Sequence, residues 1–401
     1  MRQTTITPAD IISKDIVLFG GGIAGLWLLD RLRTLGYEAV LLEKSALGAG
    51  QSIASQGMIH GGMKYALNGK LGGATEAIAE MPELWRQCLQ GKGEVDLRGT
   101  RLLSDAYYLW PRNSLRSRFA AFLGSKAVRG RVDAVPPAEL PALFQGHIKG
   151  PLYRLQDLVL DVPSLLGLLA ARHQANIYRI DWEQSRLHMG DAGIESVELP
   201  DGSLLQAQRW LCTSGEGADF FLQQTPATRD AMQLRPLQMV VVKHQLPDPA
   251  YVHCVSDQLS ATPELTITTH DCSDGRKAWY LGGGLAESGV QRSADEQIAY
   301  TRQLLKTLFP WRDLSEADFH CLPVNRAEAR QPDGKRPDQA TLRTAGNVFY
   351  CWPTKLTLAP ALARQVVETL EQTQVVPGYG SAQPLPGLPA APLATPPWEL
   401  C

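Results

Sequence analysis

Residues 15–44, DIVLFGGGIAGLWLLDRLRTLGYEAVLLEK, decide the fold. After its first residue DIVLF is an unbroken apolar run, the pattern of a strand covered on both faces. Gly20, Gly22 and Gly25 then give the spacing G-x-G-x-x-G. From Ile23 apolar residues recur at helical intervals and stop at Gly36, and EAVLLE reads as a second buried strand ending in Glu43. The unit is strand, tight turn, helix, strand. Gly20 permits the turn, Gly22 lets backbone approach a pyrophosphate, and Gly25 lets the helix pack on the strand. The helix start at Ile23 and Ala24 presents N–H groups with a partial positive charge. Glu43, with Lys44 beside it, follows Gly25 by eighteen residues, placed to accept hydrogen bonds from a ribose 2′-hydroxyl and to disfavour a 2′-phosphate. The stretch reads as a dinucleotide site.

The 401 residues exceed what one compact core normally holds, so two domains are expected. With 44% hydrophobic and 20% charged residues the chain is ordinary globular protein, and a net charge of -2 gives no general attraction to nucleic acid or acidic lipid. Seven cysteines include no C-x-x-C pair, which fits reduced thiols. The histidines show no zinc-type spacing, and His270 near Cys272 is only a lone pair, so no metal is expected. The first fifteen residues lack the features of a signal peptide, and the most apolar run, 16–29, is too short and glycine-broken to span a bilayer. A cytoplasmic protein is expected, with peripheral contact at the inner membrane left open.

Further along, 75–91 reads as a helix, 101–110 as a strand and 113–150 as mixed. Residues 158–174 begin extended and continue as a helix from about Pro163. A hairpin turning at Asp201-Gly202 feeds a buried strand that ends at Thr213-Ser214-Gly215. Strand signals fill 235–285. Ser293, with Glu296 three residues on, predicts a capping box ahead of a long helix. A buried strand at 347–352 and a helix over 356–372 follow. Residues 377–397 hold seven prolines without apolar period and read as an extended or disordered tail.

These features together resemble the D-amino-acid-oxidase-like superfamily of FAD-dependent oxidoreductases, over roughly residues 14–372. Three pieces look most like its glycerol-3-phosphate dehydrogenase and L-2-hydroxyglutarate dehydrogenase branch: GQSIASQGMIHGGMKY (50–65), TSGEGAD (213–219) and WPTKLTLAPALA (352–363), the last similar to G-G-K-x-T. The fold this implies is α/β, a Rossmann-like FAD-binding domain interleaved with a mixed-sheet substrate domain. The FAD-binding domain would take 14–75, 151–225 and 325–372, the substrate domain 76–150 and 226–324, with 373–401 as the tail.

By the same resemblance, Gln51, Ser52, Ser55, Gln56, Gly57, Ile59, His60 and Gly61 belong to a loop that runs along the flavin. Gly57, Gly61 and Gly62 would let backbone lie close to a flat ring. Gly215 follows the second FAD-facing strand, and Pro353, Thr354, Lys355, Leu356 and Thr357 precede the last helix of the domain. Trp352 and Pro353 stand where the glycerol-phosphate enzymes have two glycines, which predicts a narrower or differently shaped cavity.

For chemistry, His60 is the candidate beside the flavin, for positioning, as a base, or as a point of covalent attachment. Lys355 would stabilise the negative charge of reduced flavin. Arg326 and Arg330 would clamp a carboxylate or phosphate, whereas Lys335 and Arg336 read as surface charges. Lys64 and Tyr65 are further pocket candidates. The expectation is an FAD-dependent oxidoreductase acting on a small anionic substrate, with CH–OH oxidation ahead of amino-acid or amine oxidation. A flavoprotein without catalysis is the rival of another class. The electron acceptor, whether oxygen, quinone or protein, stays open.

Overall fold

The computed structural model describes residues 10–62, 78–111, 132–224, 228–255 and 262–401. They form two compact units. The first holds the described residues of Met1–Ser52, Leu166–Leu234 and Ala327–Ala394; the second holds those of Ile53–Leu165, Arg235–Arg326 and Thr395–Cys401.

The first unit is built on a sheet whose core is parallel. β1 (Ile11–Phe19) lies between β2 (Ala39–Glu43) and the strand Leu204–Cys212, both parallel to it, and Ile177–Arg179 and Val348–Trp352 extend the sheet on either side. Thr341–Ala345 adds an antiparallel edge. Ile16, Val17, Leu18 and Phe19 are all buried, as an unbroken apolar run requires when helices cover both faces of a sheet. Phe19 stacks on Trp210 and Phe221. α1 (Ile23–Thr34) packs against the helix Ala359–Gln372 and is buried nearly all round. Its Asp30 is tolerated inside because Arg172 (2.7 Å) and His173 (2.9 Å) pair with it. The hairpin at Asp201-Gly202 is present, and its second strand is long enough to take an antiparallel partner at its start and a parallel one at its end, while β1 runs parallel along its length.

The second unit carries an eight-stranded mixed sheet in the order Asp318–Ala329, Met232–His244, Lys277–Gly282, Leu265–Asp271, Val252–Val255, Tyr107–Pro111, Tyr153–Leu155, Val132–Ala134. Leu304, Leu305 and Leu308 of the helix Ala294–Leu308 join its core. The capping box forms as the sequence predicts, with reciprocal Ser293 and Glu296 bonds. A three-stranded sheet completes the unit: β3 (Met58–Ile59), Leu158–Leu160 and Leu102–Ser104.

Three expectations need correction, and a fourth, the extended or disordered tail, is narrowed. The chain leaves the first unit after Ser52, not after residue 75, because the segment from Ile53 bonds to strands of the second unit. It returns at Leu166 rather than at 151. Residues 101–110 form two strands in two sheets, Leu102–Ser104 and Tyr107–Pro111, parted where the Ser104 hydroxyl donates to the Ala106 carbonyl. The proline-rich tail is extended but held. In the first unit the buried Asp15 carboxylate accepts from the N–H groups of Gly378, Tyr379 and Gly380, and also from Glu38. The buried Lys14 ammonium donates to the carbonyls of Ser381 and Gln383. Farther on, Leu47 exchanges backbone bonds with Pro392 and Ala394. In the second unit Trp398 stacks on His270 at 3.7 Å between centroids, and Glu399 takes both donors of Ser273. Prolines remove donors, yet the residues between them keep theirs.

Burial by itself would raise the Asp15 pKa; the four backbone N–H donors outweigh it and hold the pKa below its ordinary value. Such a group stabilises the fold above its unfolded pKa of about 4, and the stabilisation is lost as pH falls through the folded value. Asp15→Ala is therefore expected to cost on the order of 3 kcal/mol at neutral pH and to speed hydrogen exchange at 378–381. Thermal unfolding between pH 7 and pH 3 (about the range in which a carboxylate titrates), compared with wild type, checks it: the variant's deficit should shrink toward the acid end.

Candidate functional site

The glycine turn after β1 is closed by named contacts. The Gly20 N–H donates to Leu42 O (2.9 Å), the Thr213 hydroxyl donates to Phe19 O (2.9 Å) and Gly20 O (2.8 Å), and the Gly48 N–H donates to Gly21 O (2.8 Å). Gly20 has φ +98, and a Cβ there would run into the Ser214 backbone. A Cβ on Gly25 would meet the Gly20 carbonyl, and one on Gly21 the Leu47 side chain. Gly22 differs: among the described residues its Cβ would meet only Ser52, with Oγ 2.9 Å away. Gly20, Gly21 and Gly25 thus let the turn close, and Gly22 borders open space. Gly21, Leu47 and Thr213 are working parts that the G-x-G-x-x-G pattern does not name; three consecutive glycines were the available signal for Gly21.

α1 starts here without a side-chain cap and with no acidic residue in its first turn. The Ile23 N–H is held by Ser52 Oγ at 3.0 Å, and Ile23 and Ala24 are buried. This is a helix end suited to an anion. Glu43, buried at the end of β2, accepts from the N–H of Gly21 (2.7 Å), the N–H of Ser45 (2.9 Å) and the Ser45 hydroxyl (3.1 Å). A carboxylate has about four acceptor positions, so one is left for a ligand hydroxyl. The exposed Lys44 extends its ammonium to Gly217. Gly215, with φ +55, opens that same turn and has no atom of the described residues within 4 Å of where a Cβ would stand. The first unit therefore brings Gly20, Gly22, Ile23, Ala24, Gly25, Glu43, Lys44, Ser52 and Gly215 into one cradle.

Gln51 is engaged elsewhere. Its Oε1 accepts from the Ala327 N–H (2.9 Å), fixing the end of a strand.

The second unit holds the strip that follows. The Tyr280 hydroxyl donates to Ala54 O (2.8 Å). Gln56, expected at the flavin, spends its whole amide on the neighbouring sheet. It donates to Tyr280 O (2.7 Å) and Thr266 O (3.3 Å) and accepts from the Thr266 hydroxyl (2.8 Å). The Gln56 side chain is thus a clamp for the strip. Gly57 has φ +71, and a Cβ there would strike the Leu160 carbonyl, so the backbone alone requires glycine. Ile59 is fully buried, and Met58 and Ile59 pair with Val159 and Leu158. The buried Asp157, which the sequence did not flag, accepts from the Gly61 N–H (2.9 Å). His60 stands half-buried between these anchors. Ser55 Oγ is buried and has no hydrogen-bond partner among the described residues, as an atom that receives a ligand would.

Arg326 lies half-buried on the strand Asp318–Ala329, near enough to Tyr280 to oppose the burial that raises the tyrosine pKa. Arg330 is exposed, donates to Met232 O (3.4 Å) and lies 3.8 Å from Asp230, so the structure joins it to the surface and not to the cradle. Lys64 and Tyr65 fall outside the described residues.

At the last helix, Pro353, Thr354 and Thr357 are buried and Lys355 and Leu356 half-buried. Counting back from Lys355, the two glycine positions of G-G-K-x-T fall on Pro353 and Thr354, one residue later than Trp352 and Pro353, where the sequence pattern set them. Thr354 has φ +64, a value glycine adopts freely.

The family described as FAD dependent oxidoreductase (DAO) matches residues 15–369. The chain belongs to it. A probable FAD-dependent oxidoreductase of Pseudomonas aeruginosa, PA4991, is 46% identical over 392 residues, covering 97% of this chain and 98% of that protein. The crystal structure of PA4991 matches with a TM-score of 0.84 at 41% identity, over 98% of this chain and 99% of that one. The fold is shared more distantly with glycine oxidase from Geobacillus kaustophilus (TM-score 0.62, 15% identity, 97% and 99% covered). It is shared to the same degree with an FAD-bound L-alpha-glycerophosphate oxidase from Mycoplasma pneumoniae (TM-score 0.62, 15% identity, 90% and 95% covered). The chain is an FAD-dependent oxidoreductase of α/β fold, and its cradle fits that cofactor: Gly22 and α1 suit the pyrophosphate, and the remaining acceptor of Glu43 suits a ribose.

Two alanine substitutions separate architecture from binding. Gly25→Ala forces a methyl into a carbonyl and is expected to cost more than about 4 kcal/mol, with little folded protein recovered. Gly22→Ala needs only a shift of Ser52 and should fold with nearly wild-type melting, while FAD binds at least tenfold more weakly (about 1.4 kcal/mol). Melting curves and FAD titration check both.

Proposed function

We propose that this oxidoreductase acts on a small anionic substrate at a CH–OH carbon, as in a hydroxy acid or a hydroxy phosphate. FAD, when bound, accepts the hydride equivalent. What the chain must add is a proton acceptor and a hold on the anion. An alcohol keeps its proton at neutral pH and needs a base, whereas an amine can react from its neutral form.

The observation that carries the reading is the bracing of His60. Its strip is tied by Tyr280 at Ala54, by the Gln56 amide, by the strand pairing of Met58 and Ile59 and by Asp157 at Gly61. An imidazole on so fixed a backbone is suited to take a hydroxyl proton at a constant distance. Arg326, half-buried on a strand of the same unit, is assigned to the substrate anion; Arg330, paired at the surface, is not. Lys355 and the helix start behind it are assigned to the flavin's pyrimidine side, where negative charge gathers on reduction.

Anaerobic reduction of the yellow holoprotein by a panel of hydroxy acids, glycerol phosphates and amino acids tests this. Hydroxy substrates should bleach the flavin, and His60→Ala should keep its FAD but slow the bleaching by about 10²- to 10⁴-fold, the usual worth of a general base. Bleaching by amino acids alone, unaffected by the substitution, would replace CH–OH oxidation with amine oxidation.

A further inference from the structure

Among the described residues two that are not glycine have positive φ: Thr354 and Gln374. Gln374 is easily accounted for. It follows the helix Ala359–Gln372, and the Val375 N–H returns to Leu370 O, so it ends a helix in the left-handed conformation as such residues do. Thr354 ends nothing. It is β-branched, for which φ of +64 is a genuine outlier.

Its surroundings impose that conformation. The Lys355 N–H donates to Pro353 O at 2.6 Å across Thr354, so the three residues form a γ-turn of the rare, strained kind with positive φ at its centre. The Thr354 hydroxyl donates to Gln339 O at 3.1 Å, and the residue is buried. Before the turn Trp352 is buried and paired in the sheet; after it the Leu358 N–H bonds to Lys355 O and the chain enters the helix. A glycine would take the same path without strain. Strain of this kind persists where the surroundings over-determine it, and it gathers at functional sites.

We infer that Thr354 is a positioning residue: its strained turn, pinned through the hydroxyl to Gln339, fixes Lys355 and the start of the following helix against the flavin. This rests on the assignment of Lys355 made above. The turn keeps the positive charge and the helix N–H groups at a set distance, so that reduced flavin is stabilised without reorganisation. Glycine at 354 would leave the turn allowed but unpinned. Serine would keep the pin without the branch.

The test uses the FAD-loaded protein and three variants, Thr354→Gly, Thr354→Ser and Thr354→Asn, the last because asparagine tolerates positive φ should the glycine variant lose its cofactor. Readouts are the visible flavin spectrum, the midpoint potential against a reference dye, the dissociation constant for sulfite as a small-anion probe of flavin electrophilicity, and the melting temperature. Thr354→Gly, or Thr354→Asn in its place, should melt near wild type, shift the spectrum, move the potential negative and weaken sulfite binding at least tenfold, while Thr354→Ser stays within twofold of wild type. Unchanged spectrum, potential and sulfite affinity in the glycine or asparagine variant would overturn the inference, whatever the melting temperature does. Lys355→Met, measured alongside, separates the two claims. If it leaves the potential unchanged, the Lys355 assignment fails; if it lowers the potential but Thr354→Gly does not, only the role of Thr354 fails.

Discussion

The structure depends on how closely the chain can fold back after β1. Within seven residues of Phe19 it must end a buried strand, reverse and start a buried helix, with the Gly20 carbonyl and the Thr213 hydroxyl lying where the Gly25 side chain would be. Only glycines fit there. The same closeness leaves α1 without a cap from Gly22, with Ser52 Oγ on the Ile23 N–H, and brings Glu43 to the Gly21 N–H, so the steric solution of the turn also suits a dinucleotide. Thr213 secures it from a strand nearly two hundred residues away.

Much of this was legible in the sequence because its signal is local. An apolar run, glycines at fixed spacing, a helical period and an acidic residue occur within thirty residues, and the structure follows them to within a few positions. The capping box at Ser293 was legible for the same reason. Polar side chains whose partners lie far along the chain were not. Nothing near Gln56 announces that Thr266 and Tyr280 will use up its amide, and nothing near Gln51 announces Ala327. Thr354 stands at a glycine position of G-G-K-x-T, but the carbonyl that holds it, Gln339 O, lies fifteen residues back and nothing in the pattern announces it.

The tail shows the limit of reading composition. Seven prolines without period describe a segment that forms no helix or strand, and it forms none apart from a short 3-10 turn at Pro397–Glu399. Order came instead from Asp15 and Lys14, adjacent residues of β1 that serve the backbone donors and acceptors of 378–383. A charged pair of residues in a strand otherwise buried was the visible anomaly, and its explanation lay more than 360 positions away.

The central claim is that the first unit grips the adenylate and pyrophosphate half of FAD through the glycine turn, α1 and Glu43. Titrating cofactor-free protein with FAD and with FMN tests it most directly, since FMN carries the same ring and one phosphate but lacks the adenylate and so the pyrophosphate link. The account predicts FAD binding at least a hundredfold tighter than FMN (about 2.7 kcal/mol). Equal affinity for the two, or binding of FMN alone, would contradict it.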